Sequence, residues 1–387
     1  MHRTWSEWFW LPEEFTWKDF EEDEKRFPDV KYFFTCALIL GICLLLFRNF
    51  ILLPLVFRPL GVKAGVRSKP YRSPPPNEEL DALYTINRAR PPRDMLVKTA
   101  AKVGWPERRV ERWLRQKALS MQMTTLEKFQ DYGWQFTHYT IFFISGFFVV
   151  VVKPYFKDPE ECWRNFPFHQ ISSDVWWYNV VCCAFYVTQT ILLLQQEKRH
   201  DFYQMLAHHM ITFFNFYFCW SLNAVRMLTI TLFMHEIADI PLALGKLFSY
   251  SGYQKITDAL AFTFAFLWIG TRMLYFPIYG LLPTYRAMSI MGRHNWPGFF
   301  LGQLFDSSLL VLHMMWTKDL IKALYRRFTD IDKIVDERSA DELSTEDEKQ
   351  NSEIIDNNNV IADRYLENHQ SSTKRMNGVH KRKAFQS

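Results

Sequence analysis

Residues 205–247 read MLAHHMITFFNFYFCWSLNAVRMLTITLFMHEIADIPLALGKL. A bilayer crossing takes about 20 mostly apolar residues, so this run is too long for one span and too short for three. It is read as two helices folding back on each other near Ser221 and Asn223, although no Gly or Pro marks the turn. An antiparallel pair of apolar helices that carries histidines and acids places the chain among polytopic membrane proteins.

Working outward, five more apolar stretches appear: Tyr32 to Phe57, interrupted by Arg48 and Pro54, then about 134–152, 174–195, 257–281 and 298–321. The fold class expected is all-α, a polytopic transmembrane helical bundle of about seven spans. The mean hydropathy of −0.16 looks soluble only because apolar spans and polar segments average out. The 35 Phe and 14 Trp agree better with bilayer interiors and interfaces. Trp176, Trp177 and Tyr178 open the third span as an interfacial aromatic belt would, and His138, near the start of the second, is read as interfacial. Basic residues follow spans one, three, five and seven (Lys63 and Arg67; Lys198 and Arg199; Lys246 and Lys255; Lys318, Lys322, Arg326 and Arg327). Cytosolic connections carry such excess, so the N-terminus is expected in a lumen or outside and the C-terminus in the cytosol. None of the six cysteines forms a CxxC pair, which argues against a disulfide framework or zinc ribbon. The N-terminus lacks the charged and apolar regions of a cleavable signal peptide.

This yields a lumenal segment 1–31, a first transmembrane helix 32–57, a small helical cytosolic segment 70–128, six transmembrane helices within 129–328, and a tail 329–387. The tail, acidic from Asp330 to Lys349 and ending on Lys381-Arg382-Lys383, has too little apolar surface for a core and is read as disordered. Within 70–128, Pro74-Pro75-Pro76 is a stiff lead-in and Glu107 to Lys117 a basic helix containing Trp113, opened at Pro106.

The fourth span carries His208 and His209. The fifth carries Arg226, His235, Glu236 and Asp239. Ionisable residues at bilayer depth cost about 2.5–3.5 kcal/mol on insertion scales and generally face a cavity with a function. At 1.5 Å per residue the two histidines lie about 15 Å beyond Arg199, and Glu236 and Asp239 about 10–15 Å before Lys246. The histidines and acids thus share a depth. His235 and Asp239 are spaced i,i+4, and His208 shares a stripe with Thr212 and Asn215. One buried histidine can serve helix packing alone, and Arg226 and Arg272 can snorkel or pair with acids. Two adjacent histidines and two acids at one depth exceed what packing requires.

A neutral imidazole oriented by a carboxylate suits general-base work, or nucleophilic attack on an activated acyl group. No Gly-rich nucleotide loop, GxSxG elbow or Walker lysine is present. The expected substrate is therefore already activated and lipid-borne. A di-iron centre needs more histidine boxes than this chain has. A single zinc on His208, His209 and an acid suffers because adjacent helix positions point about 100° apart.

At these residues the sequence resembles the ceramide synthases, the longevity-assurance branch of the TLC-domain family. The shared stretches include Arg199 to Met205, His208 to Thr212, Trp220 to Asn223 with Arg226, and His235 to Asp239. Cys162-Trp163 with Phe166-Pro167, Asp174 to Tyr178, Thr271-Arg272, Trp10-Leu11-Pro12 and Asp336 to Glu342 also match. The resemblance runs to about residue 345. It implies transfer of a fatty acyl group from acyl-CoA to the amine of a sphingoid base in the endoplasmic reticulum membrane. It also implies catalysis by His208 and His209 supported by Glu236 and Asp239, with Asp239 steadying the imidazolium. Arg226, His235, Asn215 and Arg272 would bind substrate. No cofactor or metal is expected beyond acyl-CoA as co-substrate. The partners are fatty acyl-CoA, a sphingoid base and membrane lipids, with homo- or heterodimerisation left open.

The chain departs from the family at Glu236, where Asp is usual, at Ala243, where Glu is usual, and at His200. Glu14 stands where a glycosylated Asn is common. Segment 70–128 resembles the family's truncated homeobox-like domain, with its first helix poorly represented and Gln116 where a homeodomain carries its adenine-reading Asn. DNA is not expected as a partner; anionic head groups or CoA phosphates suit the basic helix better. Ser339, Ser344 and Thr345 are acidic-context phosphorylation candidates. The competing readings are a non-enzymatic TLC-domain lipid sensor or carrier and a metal-dependent lipid hydrolase. Acyl-chain length is not legible.

Overall fold

The computed structural model describes residues 6–20, 30–68, 72–196, 201–291 and 296–329. Ser339, Ser344, Thr345 and the tail, like Arg199 and His200, lie outside the described residues. The expected apolar segments are all helical: α1 (Val30–Lys63), α2 (Thr125–Val150), α3 (Ser173–Gln195), α4 (Phe202–Leu222), α5 (Val225–Tyr250), α6 (Gln254–Ala287) and α7 (Pro297–Phe328). Among the described residues there is no strand. Five of the seven, α1, α3, α5, α6 and α7, are long and apolar enough to cross a membrane. The other two, of 26 and 21 residues, carry polar side chains through their length, among them His138, His208, His209 and Asn215. Their polar side chains face inward, as described below. The molecule is an all-α polytopic helical bundle.

The turn inside 205–247 falls where expected. Asn223 ends α4 in the left-handed region, φ 60°. Asn tolerates that conformation better than most side chains, which explains a tight turn without glycine. Its amide also donates to the carbonyls of Pro167 and His169, at 2.7 and 2.8 Å, fastening the connection before α3 onto the hairpin.

Three helices depart in their course from the sequence reading. α1 continues through Pro54 to Lys63, because residues 48–57 adopt the wider i→i+5 pattern in which Arg58 N–H reaches Leu53 O. That spacing absorbs a residue with no N–H. α6 passes Pro277 in the same way. α2 starts at Thr125, nine residues before the apolar run, because Thr124 and Glu127 form a reciprocal capping box. The earlier start moves His138 to mid-helix. It is buried and stacked flat on Phe185, centroids 3.4 Å apart, and is not interfacial.

The helices close a ring. α2 packs on α5, α5 on α6, α6 on α7, α7 on α4, α4 on α3, and α3 on α2. α1 lies outside the ring, against α3 and α2. Gly41 lets it approach: a Cβ there would sit 2.9 Å from Ala184 O, and Thr188 Oγ1 donates to Gly41 O at 2.9 Å. Small residues and interhelical hydrogen bonds are what hold helices together where no water is displaced. Arg48, which interrupts the first apolar run, forms a buried ion pair with Asp131 of α2, and Gln196 donates to the same carboxylate at 3.2 Å. Replacing Arg48 with Ala removes the cation of this buried pair. The expected cost is about 3–5 kcal/mol, read as a lowered thermal midpoint of the detergent-solubilised protein; an unchanged midpoint would contradict the pairing.

Residues 72–120 form three short helices, Glu78–Asn87, Arg93–Val103 and Glu107–Ser120. They enclose Leu80, Leu83, Leu96, Ala100, Val110, Trp113 and Leu114. The first helix, poorly marked in sequence, is present and capped by Asn77, whose side chain accepts from Leu80 N–H. Trp113 Nε1 donates to Pro75 O at 2.7 Å and Gln116 donates to Arg72 O at 3.1 Å. The Gln116 side chain is thus engaged by this chain's own backbone.

Candidate active site

A cavity of about 390 Å³ lies inside the ring, and all six ring helices line it while α1 contributes nothing. One end is bordered by Gln196, Asp201, Lys246 and Asp319, near the α3–α4 and α5–α6 connections; the other reaches Asn215, Leu228 and Leu309. His208, His209, Asn215, His235, Glu236, Asp239 and Arg272 all line it. Of the candidate catalytic and substrate-binding residues, all of them described, Arg226 alone is not in this lining. It opens α5 at the opposite end, donates to Glu161 O at 3.0 Å and lies over the Tyr155 ring.

His209 has a definite orientation. Its Nδ1 lies 2.8 Å from Thr190 Oγ1, and that hydroxyl spends its single proton on Tyr186 O at 2.7 Å. Thr190 must therefore accept, so Nδ1 carries the proton and Nε2 keeps the lone pair of the neutral ring. His235 is set the same way, its Nδ1 donating to Thr231 O at 2.6 Å. The His208 and His209 rings meet edge to face, centroids 5.9 Å apart, and Tyr186 packs against both at 6.0 and 5.8 Å.

Asp239 is bound otherwise than expected. Its Oδ2 accepts from the Arg272 guanidinium at 2.7 Å, and the same nitrogen donates to His235 O at 2.9 Å. Arg272 also stacks on Trp268 at 4.3 Å. A permanent guanidinium this deeply buried needs a carboxylate, and Asp239 is the one within reach. The acid thus steadies the α5–α6 contact, and the partner of His209 is a threonine. Glu236, 3% exposed, has one carboxylate oxygen, Oε2, buried without a partner. Buried and unpartnered as well are His208 Nδ1, His235 Nε2 and Arg272 Nε. Buried polar atoms are nearly always satisfied, so several orphans around one cavity mark a place for a polar ligand.

Four further residues escaped the sequence reading. Thr190 and Tyr186 lie at i,i+4 on α3, a polar stripe that could have been noticed. Asp306 of α7 accepts from Asn215 at 3.0 Å. His313, wholly buried, lies tilted against His235 at 5.0 Å with both ring nitrogens unpartnered; as a lone histidine in an apolar run it gave no signal. Among the described residues, no three His, Cys, Asp or Glu side chains converge as metal ligands.

The TLC domain family matches residues 128–322, which is the six-helix ring almost from end to end. Human ceramide synthase 4 is 30% identical over 329 residues, covering 83% of this chain and 81% of the relative. Human ceramide synthase 5 is 30% identical over 355 residues, covering 89% and 88%. Mouse ceramide synthase 3 is 29% identical over 329 residues, covering 83% of each.

The chain belongs to the ceramide synthase family. In this member of the ceramide synthase family, the TLC domain is the part of the fold that builds the cavity. α1 and the three-helix unit of residues 72–120 lie almost wholly before it in the chain.

Proposed function

We propose that the chain is a ceramide synthase in the enzymatic sense, transferring the acyl group of a fatty acyl-CoA to the amine of a sphingoid base in the endoplasmic reticulum membrane. The observation that carries this reading is that His209, its Nδ1 held by Thr190, and the unpartnered Glu236 oxygen line the same cavity inside the helix ring. The polar end, with Lys246, suits entry of a CoA thioester from the cytosolic side, and the apolar interior suits its chain. Glu236 offers a carboxylate to the sphingoid ammonium. His209 Nε2 takes a proton from that ammonium, and the freed nitrogen attacks the thioester carbonyl. The C–N bond forms and the C–S bond breaks. A second proton leaves the nitrogen through the imidazole to the departing thiolate, giving amide, CoA thiol and one proton to solvent. The thioester supplies the driving force, in keeping with a chain that carries no nucleotide-binding loop.

Purified protein given sphinganine and palmitoyl-CoA is expected to release free thiol and N-acylated product in equal amounts. Binding of both lipids without turnover would favour a sensor or carrier, and thiol release without amide a hydrolase. Thr190→Val removes the acceptor that orients His209. With about 1 kcal/mol at stake in one hydrogen bond, turnover is expected to fall about fivefold with little change in KM. An unchanged rate would detach Thr190 from the mechanism.

A further inference from the structure

A second cavity, about 360 Å³, lies at the opposite end of the bundle from the polar mouth of the first. It is enclosed by the connection between α2 and α3 and by the first turn of α5, and its charged lining groups are Lys153, Glu161, Arg164 and Arg226. Lys153 is bound to Asp174 at 2.8 Å and Arg164 to Glu161 at 2.7 Å. Arg226 is half-buried and has only the backbone oxygen of Glu161 and the Tyr155 ring. It makes no ion pair among the described residues.

Beside Arg226 stands His169, 2% exposed. Its Nε2 lies 2.5 Å from Arg164 O and so donates, which leaves Nδ1 as the acceptor of a neutral ring; Nδ1 is buried without a partner. Burial and the nearby Arg226 cation, against the Arg164 and Asn223 backbone oxygens, pull this imidazole down to about 4, so the ring is neutral at pH 7. A half-buried guanidinium lacking an anion and a buried imidazole lacking a donor therefore share one cavity. The ligand that satisfies both carries an anionic group next to a hydrogen-bond donor.

The surroundings indicate where that ligand comes from. Phe148 and Val152, just before Lys153, are 70% and 71% exposed, and Trp177, beside the rim residue Val175, is 57% exposed. Tyr32 stacks on Trp176 at 5.7 Å. Exposed Trp and Tyr at the end of apolar helices mark head-group depth. An apolar apron below a polar cavity at that depth fits a molecule with acyl chains better than a soluble anion.

We propose that this cavity binds the head group of a phospholipid that carries a hydrogen-bond donor beside its phosphate, the phosphate on Arg226 and the donor on His169. Phosphatidylethanolamine has such a donor and phosphatidylcholine does not. The test titrates the full-length, detergent-solubilised protein with dihexanoyl phosphatidylethanolamine, dihexanoyl phosphatidylcholine and inorganic phosphate, following binding by thermophoresis. Saturable binding of the ethanolamine lipid is expected, with the choline lipid weaker by about fivefold or more, as one lost hydrogen bond implies. Arg226→Gln is expected to weaken the ethanolamine lipid about tenfold or more, since a charge-assisted bond is lost, and Arg226→Lys less. His169→Phe is expected to erase the preference between the two lipids. The proposal is overturned if neither lipid saturates, if Arg226→Gln and Arg226→Lys bind like the parent, or if choline binds as tightly as ethanolamine. Inorganic phosphate binding as tightly as the lipid would overturn the head-group assignment. Should Arg226→Gln fail to fold, Arg226→Lys and His169→Phe decide the matter.

Discussion

Alanine at His209 is expected to leave a folded protein whose N-acylation rate is lower by about 10²–10⁴, the range that a positioned acid–base group contributes. The ring makes one hydrogen bond, to Thr190, and faces the cavity. Its loss therefore enlarges a space without stranding a buried charge, and the helices that pack around it stay filled by Phe216, Tyr186 and Phe185. His208→Ala is expected to fall nearly as far, since that side chain lines the same cavity next to Tyr186 and Trp316. The measurement is product formation from labelled acyl-CoA and sphinganine at matched protein amounts, alongside a thermal midpoint. Full activity in both variants with unchanged stability would remove the histidines from the mechanism.

Replacing Arg272 by Ala has the larger structural effect. It strips the cation from Asp239, removes the donor to His235 O and empties the place over Trp268. Leaving one partner of a buried pair uncompensated costs about 3–5 kcal/mol. The variant is expected to unfold at a markedly lower temperature, and activity to vanish with it. The double replacement Arg272→Met with Asp239→Leu separates the two roles. A well-packed apolar pair restores most of the stability, because neither charge is then stranded. If the pair serves only packing, activity returns as well. If it also fixes His235 in the cavity, the stable double variant stays inactive. A single Arg272→Ala variant as stable as the parent would contradict the pairing outright.

Most of the fold was legible because bilayer helices need about 20 apolar residues each, and every such run in the chain became a helix. The fold-back at Asn223 was legible from length alone, while its mechanism, a left-handed asparagine bound to Pro167 and His169, was not. Boundaries failed where hydrogen bonding outran hydropathy. α2 begins at its capping box, nine residues before its apolar run, and α1 and α6 run through prolines by widening their turns. Periodicity and depth group His208, His209, Asn215, His235, Glu236 and Asp239, and all six line one cavity, because i,i+4 spacing and distance from a helix end are properties of the sequence. Pairings between helices are not. Which carboxylate Arg272 takes, which hydroxyl orients His209, and which ring stacks on His235 depend on neighbours many residues away. Arg226, to which the resemblance gives a substrate-binding role, lies ten residues of helix, about 15 Å, from Glu236 and lines the other cavity.

The central claim is that the six-helix cavity is where the acyl thioester reacts. An experimental structure of the protein with a non-hydrolysable thioether analogue of palmitoyl-CoA tests it most directly. The account expects the carbon that replaces the carbonyl to lie inside the ring, within about 3–3.5 Å of the position that an attacking amine beside His209 Nε2 would occupy. The pantetheine arm is expected to leave past Lys246. An analogue bound outside the ring, or inside it with the reacting carbon far from both His208 and His209, would contradict the account.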